Sequence, residues 1–447
     1  MIDYHLIIAV VSGIAVLLLL ILKFRIQAFI SLLIASITVG VLAGMDPMEI
    51  ISTMKQGMGD TLGFVAMVVG LGSMFGAILE HSGGAEALAN YLLKKFGEKN
   101  ASWALMIAGF FIAIPVFFDV AFIILVPLVY SLQRKTKKSL LLYGMPLLAG
   151  LAITHAFIPP TPGPVAVADI LNADLGWVIL FGFLVGIPTA IICGPVFSKF
   201  IAKRIVVEAP KLSNDNTTLK EYPNVGSIFC IIGIPIVLIV CNTLLNSSLM
   251  SNYAIPITLK EWLKMIGHPF SALIIANLIA WYILGIRRNL SKETLLSITT
   301  KSMGPAGIII LLTGAGGVFK QILVNTGTGE MLANYFASEG MSILLFAFLA
   351  AVLVRVLQGS ATVAMITAAG ITAPLLGIDT SEIDKALLVI AIASGASIMS
   401  HVNDSGFWLV SKYLNLSEKQ TFKSWTVMTT LLAIVGFTTV LLFSWLL

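Results

Sequence analysis

Apolar stretches long enough to cross a membrane follow one another along the whole chain, the first over residues 6–22 and the last over 427–447. A helix needs about 20 residues to cross a hydrocarbon core of about 30 Å. Two polar stretches, 203–224 and 246–268, interrupt the pattern near the middle of the chain. The pattern predicts an all-α polytopic membrane protein whose halves, 1–202 and 225–447, are joined by a cytoplasmic linker over 203–224.

The composition supports a membrane protein. Hydrophobic residues make up 58% of the 447 residues and charged residues 11%, whereas soluble domains have about 45–50% and about 25%. The net charge of +5 comes from Lys and Arg in short loops between apolar stretches, where they set membrane orientation and imply no nucleic-acid partner. The three cysteines lack metal or redox spacing, and no nucleotide-binding or hydrolase motif is present, so we expect no cofactor, no metal and no enzyme.

The two halves contain copies of one sequence. Residues 70–91 and 314–335 align without gaps at an offset of 244, and 11 of the 22 positions are identical. The shared residues include a Gly-x-Gly pair and the run Leu-Ala-Asn-Tyr. An internal repeat of this kind indicates a duplicated architecture.

Charged residues orient the two copies in opposite directions. Basic residues flank the apolar stretch 102–132 on both sides: Lys94, Lys95, Lys99, Arg134, Lys135, Lys137 and Lys138. Acidic residues dominate the flanks of the stretch 342–376: Glu330, Glu339, Asp379, Glu382 and Asp384. Basic flanks are cytoplasmic, so we predict that the first stretch is a re-entrant hairpin from the cytoplasm and the second a hairpin from outside. Two full spans for each stretch are the alternative. Inverted repeats of this type are typical of secondary transporters.

Polar breaks within the apolar stretches mark the candidate site, because such transporters bind substrate near the midplane, where helices are interrupted. In the first hairpin, Pro115 breaks the helix, and Phe118 precedes Asp119, the only charge between 102 and 132. An intramembrane carboxyl group is a functional candidate. Because a dry site favours its neutral form, we predict that Asp119 carries the coupling proton; a structural, hydrogen-bonded aspartate is the alternative.

The tip of the second hairpin offers hydrogen-bonding groups. Gly359, Ser360 and Thr362 lie there beside Gln358, and Arg355 precedes them. We predict that the hydroxyls and flexible backbone bind substrate and that Arg355 pairs with an anionic group. Equally, Arg355 could be the structural partner of a buried carboxylate such as Asp119 or Asp404.

Two predicted broken helices, 140–170 and 385–411, supply the other candidates. The first contains Thr154, His155, Thr161 and Gly163 among four prolines that cannot continue a helix. In the second, Ser400 and His401 align with Thr154 and His155 at an offset of 246 and precede Asn403 and Asp404. We predict that Thr154, His155, Thr161, Gly163, His401 and Asn403 contact substrate and that Asp404 is a second candidate proton carrier.

Four segments resemble the signatures of the gluconate permease family: FFDVAFIILVPLVY, THAFIPPTPGPVAVADILNADLGW, GSATVAMITAAGITAP and SHVNDSGFWLV. The resemblance covers essentially the whole chain. It implies a proton symporter for gluconate or a related sugar acid in the bacterial inner membrane, with a scaffold domain that dimerises and a transport domain built from the hairpins and broken helices. It also implies that Asp119, His155, residues 359–362 and residues 401–404 surround the substrate. Many members have Glu in place of Asp119 and His in place of Thr161.

The sequence therefore predicts proton-coupled uptake of a small anionic sugar acid by alternating access. A Na⁺-coupled carboxylate symporter and a D-serine transporter of the same fold are the alternatives, and an intramembrane enzyme and a channel are less favoured. The expected partners are the sugar acid, the lipid bilayer and a second copy of the chain.

Overall fold

The computed structural model describes residues 4–210, 222–246, 256–327, 342–377, 380–402 and 404–447, and all regular structure in these ranges is helical. The helices of the first half are α1 (Tyr4–Leu22), α2 (Ala28–Leu42), α3 (Pro47–His81), α4 (Gly84–Phe96), α5 (Ala101–Ile112), α6 (Phe118–Thr136), α7 (Leu141–Phe157), α8 (Pro162–Ile170), α9 (Leu175–Ile191) and α10 (Phe197–Arg204). Those of the second half are α11 (Val225–Asn246), α12 (Ile257–Gly267), α13 (Pro269–Ala280), α14 (Lys292–Asn325), α15 (Ile343–Gln358), α16 (Ala361–Thr372), α17 (Glu382–Ala396), α18 (Ser405–Tyr413), α19 (Glu418–Thr421) and α20 (Val427–Leu446).

Short π and 3₁₀ segments extend several of these helices. The π segments are Ile192–Val196, Trp281–Gly285 and Phe422–Thr426, and the 3₁₀ segments are Glu98–Asn100, Ile286–Arg288 and Ala373–Leu375. Among the described residues, seven continuous or broken helices are long and apolar enough to cross a membrane. The predicted all-α polytopic membrane fold is therefore confirmed.

The same order of elements occurs in each half. A long helix (α3 or α14) is followed by a hairpin (α5–α6 or α15–α16), a broken helix (α7–α8 or α17–α18) and a last helix containing a π segment (α9–α10 or α19–α20). The predicted hairpin 102–132 corresponds to α5–α6, and 342–376 to α15–α16. The predicted broken helices 140–170 and 385–411 correspond to α7–α8 and α17–α18. α3 packs along α14, with Gly57 against Gly317 at their crossing.

One limb of each hairpin is short. α5 and α16 have 12 residues each, and a helix of that length rises about 18 Å. This is well below the hydrocarbon thickness of about 30 Å. The limb lengths therefore favour re-entrant hairpins over pairs of full spans.

Two glycines allow the hairpin tips to form. Gly359 ends α15 with a φ of 89°, a left-handed conformation that few residues other than glycine adopt. Gly76 of α3 packs directly against the carbonyl oxygen of Pro115 in the first tip, and a Cβ at this position would overlap that oxygen. The long helix α3 thus supports the tip of the first hairpin from one side.

Some residues singled out in the sequence lie outside the described ranges. They are residues 211–221 of the predicted linker, residues 328–335 of the second repeat copy, the flanking acids Glu330, Glu339 and Asp379, and the candidate site residue Asn403. The described start of the linker packs beside α7, where Leu140 N donates to Val207 O at 2.8 Å and Ser139 Oγ to Ile205 O at 2.7 Å.

Candidate functional site

A cavity of about 420 Å³ lies between the two hairpin tips and the two breaks. Nine of the predicted site residues line it: Phe118, Asp119, His155, Gly163, Arg355, Gly359, Ser360, Thr362 and Asp404. Small-molecule sites typically occupy about 300–1,000 Å³, so the cavity has the size required for a small organic molecule. The structure thus brings together polar breaks that are far apart in sequence and come from both halves.

Four helix N-termini meet at this cavity. α6, α8, α16 and α18 all begin there, and their first turns contribute Asp119, Gly163, Thr362 and Gly406 to the lining. A helix N-terminus carries a partial positive charge and backbone N–H groups without intrahelical partners. Anions therefore bind favourably at such ends. The dipoles of the four helices favour a negatively charged ligand in the cavity, although Pro162 and Pro164 of α8 have no N–H to donate.

Arg355 lies at the C-terminal end of α15 with 5% of its side chain exposed. Nε donates to Ile398 O at 3.3 Å, Nη1 donates to Gly359 O, and Nη2 donates to Asp404 Oδ2 at 2.5 Å. The guanidinium group therefore connects the second hairpin tip to the second helix break. Of the two carboxylates considered as its structural partners, Asp404 forms the ion pair.

Asp404 caps the N-terminus of α18. Its carboxylate accepts hydrogen bonds from Gly406 N at 3.1 Å, from the guanidinium of Arg355 and from Ser400 Oγ. Trp425 Nε1 in turn donates to Ser400 Oγ at 2.6 Å. Several donors, one of them cationic, stabilise the carboxylate. The geometry therefore favours a positioning role for Asp404, in which it holds Arg355 in place, and disfavours the role of proton carrier.

Asp119 and His155 lie in the cavity in a different environment from the hydrogen-bonded pair of Arg355 and Asp404. Within the described part of the chain, Asp119 forms no hydrogen bond or ion pair, and its side chain is exposed to the cavity. His155 lies in the last turn of α7 with its Nδ1 buried and without a hydrogen-bond partner among the described residues. Its ring centroid is 6.2 Å from that of Phe117. These two side chains are therefore available to exchange a proton or to bind a ligand.

Three residues predicted to contact substrate do not line the cavity. Thr154 is fully buried within α7, Thr161 Oγ1 donates to Ile158 O at 2.6 Å, and His401 Nε2 lies 3.0 Å from Val356 O. For these three, direct contact with a ligand in this cavity is not supported in the conformation described. The hydroxyl of Thr161 is instead engaged with a carbonyl oxygen of the first helix break, and the imidazole of His401 with one near the second hairpin tip.

The cavity also contains residues that the sequence did not indicate. Trp425, Thr429 and Ser397 line it, and the Trp425 ring lies 5.7 Å from that of Phe118. Trp425 belongs to the π segment before α20, just outside the predicted apolar stretch 427–447. π turns are frequent at functional sites, but a side-chain pattern does not reveal one, so no sequence signal pointed to this residue.

Comparison with known proteins places this geometry in context. The model of the GntP family permeases matches residues 4–446. The low-affinity gluconate transporter of Escherichia coli K12 is 40% identical over 433 residues, 96% of each chain. A gluconate permease of Pseudomonas aeruginosa is 37% identical over 99% of this chain and 98% of its own. The Gnt-II system L-idonate transporter of Escherichia coli K12 is 37% identical over 96% of this chain and 97% of its own.

A solved structure shares the fold. The YdaH transporter of Alcanivorax borkumensis superimposes with a TM-score of 0.62 over 90% of this chain and 89% of its own, at 15% identity. At this identity the likeness concerns the fold alone.

Proposed function

The chain belongs to the GntP permease family, and from this membership and its cavity we propose that it takes up gluconate or a related sugar acid together with protons. As a permease it is a transporter of the bacterial inner membrane and not an enzyme. The observation that carries the proposal is the convergence of four helix N-termini and Arg355 on one cavity lined from both halves.

The carboxylate of the sugar acid binds at the helix N-termini around Ser360 and Thr362. Arg355 lies beside them, where its ion pair with Asp404 fixes its position and balances its charge. An anion at this place is stabilised by backbone N–H groups and by the helix dipoles, as in other transporters with broken helices.

The hydroxyls of the sugar acid require both donors and acceptors. Thr362, Ser397 and Gln358 line the cavity and offer both, while Phe118 and Trp425 provide an apolar wall. An apolar surface with a few placed polar groups is typical of sites that orient a small ligand. These groups suit a polyhydroxy acid, in agreement with the names of the gluconate and L-idonate relatives.

Proton coupling follows from the charges in the cavity. Arg355 and Asp404 cancel each other, so the ionised carboxylate of Asp119 leaves the lining with one net negative charge. This charge repels an anionic substrate and competes with it for the positive ends of the helices. Protonation of Asp119 removes the repulsion. Substrate and proton therefore bind together and leave together.

Alternating access completes the proposal. Because both halves line the cavity, movement of the hairpins and broken helices relative to the long helices α3 and α14 would expose it to either side in turn. The division into a scaffold and a transport domain and the dimer expected from the family resemblance stay predictions.

Uptake of radiolabelled gluconate by proteoliposomes tests the proposed substrate. We expect saturable uptake, counterflow, and inhibition by unlabelled L-idonate but not by glucose, which has the hydroxyls without the carboxylate. The labelled compound should be recovered unchanged from the vesicle interior. Inhibition by glucose equal to that by L-idonate would overturn a site built around a carboxylate.

A further inference from the structure

A second cavity, of about 670 Å³, lies between the C-terminal end of α3, the beginning of α14 and the first hairpin tip. Eight of its lining residues carry hydroxyl or titratable groups: Ser73, Glu80, His81, Glu293, Thr294, Ser297, Lys301 and Ser302. α14 begins shortly after Arg287 and Arg288, and Arg288 Nη1 donates to Ser82 O at 2.5 Å next to the end of α3. Because these basic residues mark the cytoplasmic side, we call this cavity the cytoplasmic vestibule.

A third and much smaller cavity, of about 10 Å³, separates the vestibule from the substrate cavity. Its walls are residues 114–117 of the first tip, Pro160, Thr161 and Pro162 of the first helix break, and Gly72 of α3, together with Ser73 and His155. His155 also lines the substrate cavity, and Ser73 also lines the vestibule. The small cavity therefore shares the polar side chain of His155 with the substrate cavity and that of Ser73 with the vestibule.

Both polar side chains lack a partner. Ser73 Oγ and His155 Nδ1 are buried and form no hydrogen bond within the described ranges. A buried polar atom without a partner costs about 1–3 kcal/mol, so two such atoms at one small cavity require an explanation. The hydroxyl of Thr161 in the same wall is already committed to Ile158 O.

A single water molecule fits these requirements. A buried water needs about 10–15 Å³ of accessible space and two to four polar partners. Ser73 Oγ and His155 Nδ1 supply two, and Pro160 O is a nearby acceptor, 3.3 Å from where a Cβ on Gly72 would stand. A sugar acid is far too large for this space, so the small cavity admits a proton carrier but no substrate.

We propose that a water bound between His155 and Ser73 forms the route by which the coupling proton leaves the substrate cavity for the cytoplasmic vestibule. The proposal rests on the proton-coupled function and separates the path of the proton from that of the substrate. The titratable and charged groups that face the route are Asp119, Arg355 and Asp404 in the substrate cavity and Glu80, His81, Glu293 and Lys301 in the vestibule.

One proton crosses in a balanced sequence. Asp119 gives its proton to one ring nitrogen of His155, and the opposite ring nitrogen gives a proton to the water. The water passes a proton to Ser73 Oγ, whose own hydrogen leaves for the vestibule. Glu80 lies seven residues further along the same face of α3 and is the carboxylate nearest in sequence to receive it. At the end Asp119 has lost one proton and the vestibule has gained one, whereas His155, the water and Ser73 each have their original number. His155 then returns to its first tautomer.

The test compares Ser73→Thr with Ser73→Val, because these side chains have the same shape and differ only in the hydroxyl. Both variants should retain gluconate counterflow, which needs no net release of protons. Ser73→Thr should keep accumulation driven by a pH gradient, and Ser73→Val should lose it by about a hundredfold, the usual effect of removing a positioned proton-transfer group. The matched controls are Ser36→Thr and Ser36→Val on α2, where the buried hydroxyl bonds Leu32 O at 2.7 Å and lines none of the three cavities.

Equal accumulation by Ser73→Thr and Ser73→Val would overturn the relay, whether both match the wild type or both fail, since the hydroxyl would then make no difference. Counterflow in the same vesicles shows that each variant is folded and binds substrate. Failure of the underlying function would be distinguishable, because the wild-type protein itself would then show no accumulation driven by a pH gradient.

Discussion

Arg355 Nη2 lies 2.5 Å from Asp404 Oδ2, and the two side chains are only 5% and 14% exposed. This ion pair joins the second hairpin tip to the second helix break, so one interaction fixes two of the four elements that form the cavity. Because the charges of Arg355 and Asp404 cancel, the net charge of the cavity lining depends on whether Asp119 is ionised.

Asp404→Asn should destabilise the protein by about 3–5 kcal/mol, because it leaves a buried guanidinium group without its counter-charge. Thermal unfolding in detergent measures the effect. Glu382→Gln is the matched control, since Glu382 pairs with Lys385 at 2.8 Å but is 47% exposed, and surface pairs contribute about 1 kcal/mol at most. Equal loss of stability in the two variants would show that the Arg355–Asp404 pair has no special importance.

Asp119→Asn should make gluconate binding independent of pH. In the wild type we expect the affinity to fall by about tenfold or more as the pH rises through the titration of Asp119, because the ionised carboxylate repels the anion. The asparagine variant resembles the protonated state at every pH, so it should bind with constant affinity and lose the response of uptake to a pH gradient. Isothermal titration at a series of pH values measures this.

Asp46→Asn provides the control for that series, because Asp46 precedes α3 far along the chain from the cavity lining and forms no side-chain cap. The affinity of Asp46→Asn for gluconate should depend on pH as that of the wild type does. Parallel pH curves for the wild type and Asp119→Asn would exclude Asp119 as the coupling group.

Thr161→Val and Thr362→Val should separate structural from ligand-binding hydroxyls. Thr161 donates to Ile158 O within the first break, so its loss should lower stability by about 1 kcal/mol and leave the affinity for gluconate unchanged. Thr362 lines the cavity without a partner among the described residues, so its loss should weaken gluconate binding by about tenfold and leave the melting temperature unchanged. The reverse result would place the substrate hydroxyls at the first break.

Cysteines at the flanks of the hairpins should report the side of the membrane on which each hairpin enters and returns. In a background without Cys193, Cys230 and Cys241, we expect a membrane-impermeant thiol reagent to reach Asn100→Cys and Lys137→Cys only from the cytoplasm. Ser342→Cys and Gly377→Cys should react only from outside; a Cβ at Gly377 meets open space. Labelling of the two flanks of one hairpin from opposite sides would mean that the segment crosses the membrane an odd number of times.

The sequence predicted the fold and most of the cavity because the relevant signals are local. Proline and glycine favour helix ends, and Pro115 and Gly359 marked the two tips in this way, although prolines such as Pro127 and Pro146 lie inside helices. A charged or hydroxyl side chain in an apolar stretch also stands out by itself, which identified Asp119 and Thr362. Membership of the gluconate permease family, which the four motifs predicted, is likewise confirmed.

The remaining features depend on contacts between distant elements. Nothing in the sequence distinguishes the hydroxyl of Thr161, which bonds its own turn, from that of Thr362, which faces the cavity. Trp425 lies in a π segment and donates to Ser400, 25 residues earlier in the chain. Ser73 and His155 line one cavity the size of a water molecule because α3 packs against the first tip.

The most direct test of the account is gluconate accumulation in proteoliposomes under an imposed pH gradient, inside alkaline, compared with an inward Na⁺ gradient at equal pH. The account predicts accumulation with the pH gradient and without Na⁺, together with the entry of protons reported by a pH-sensitive dye inside the vesicles. Accumulation that requires Na⁺ and ignores the pH gradient would contradict it.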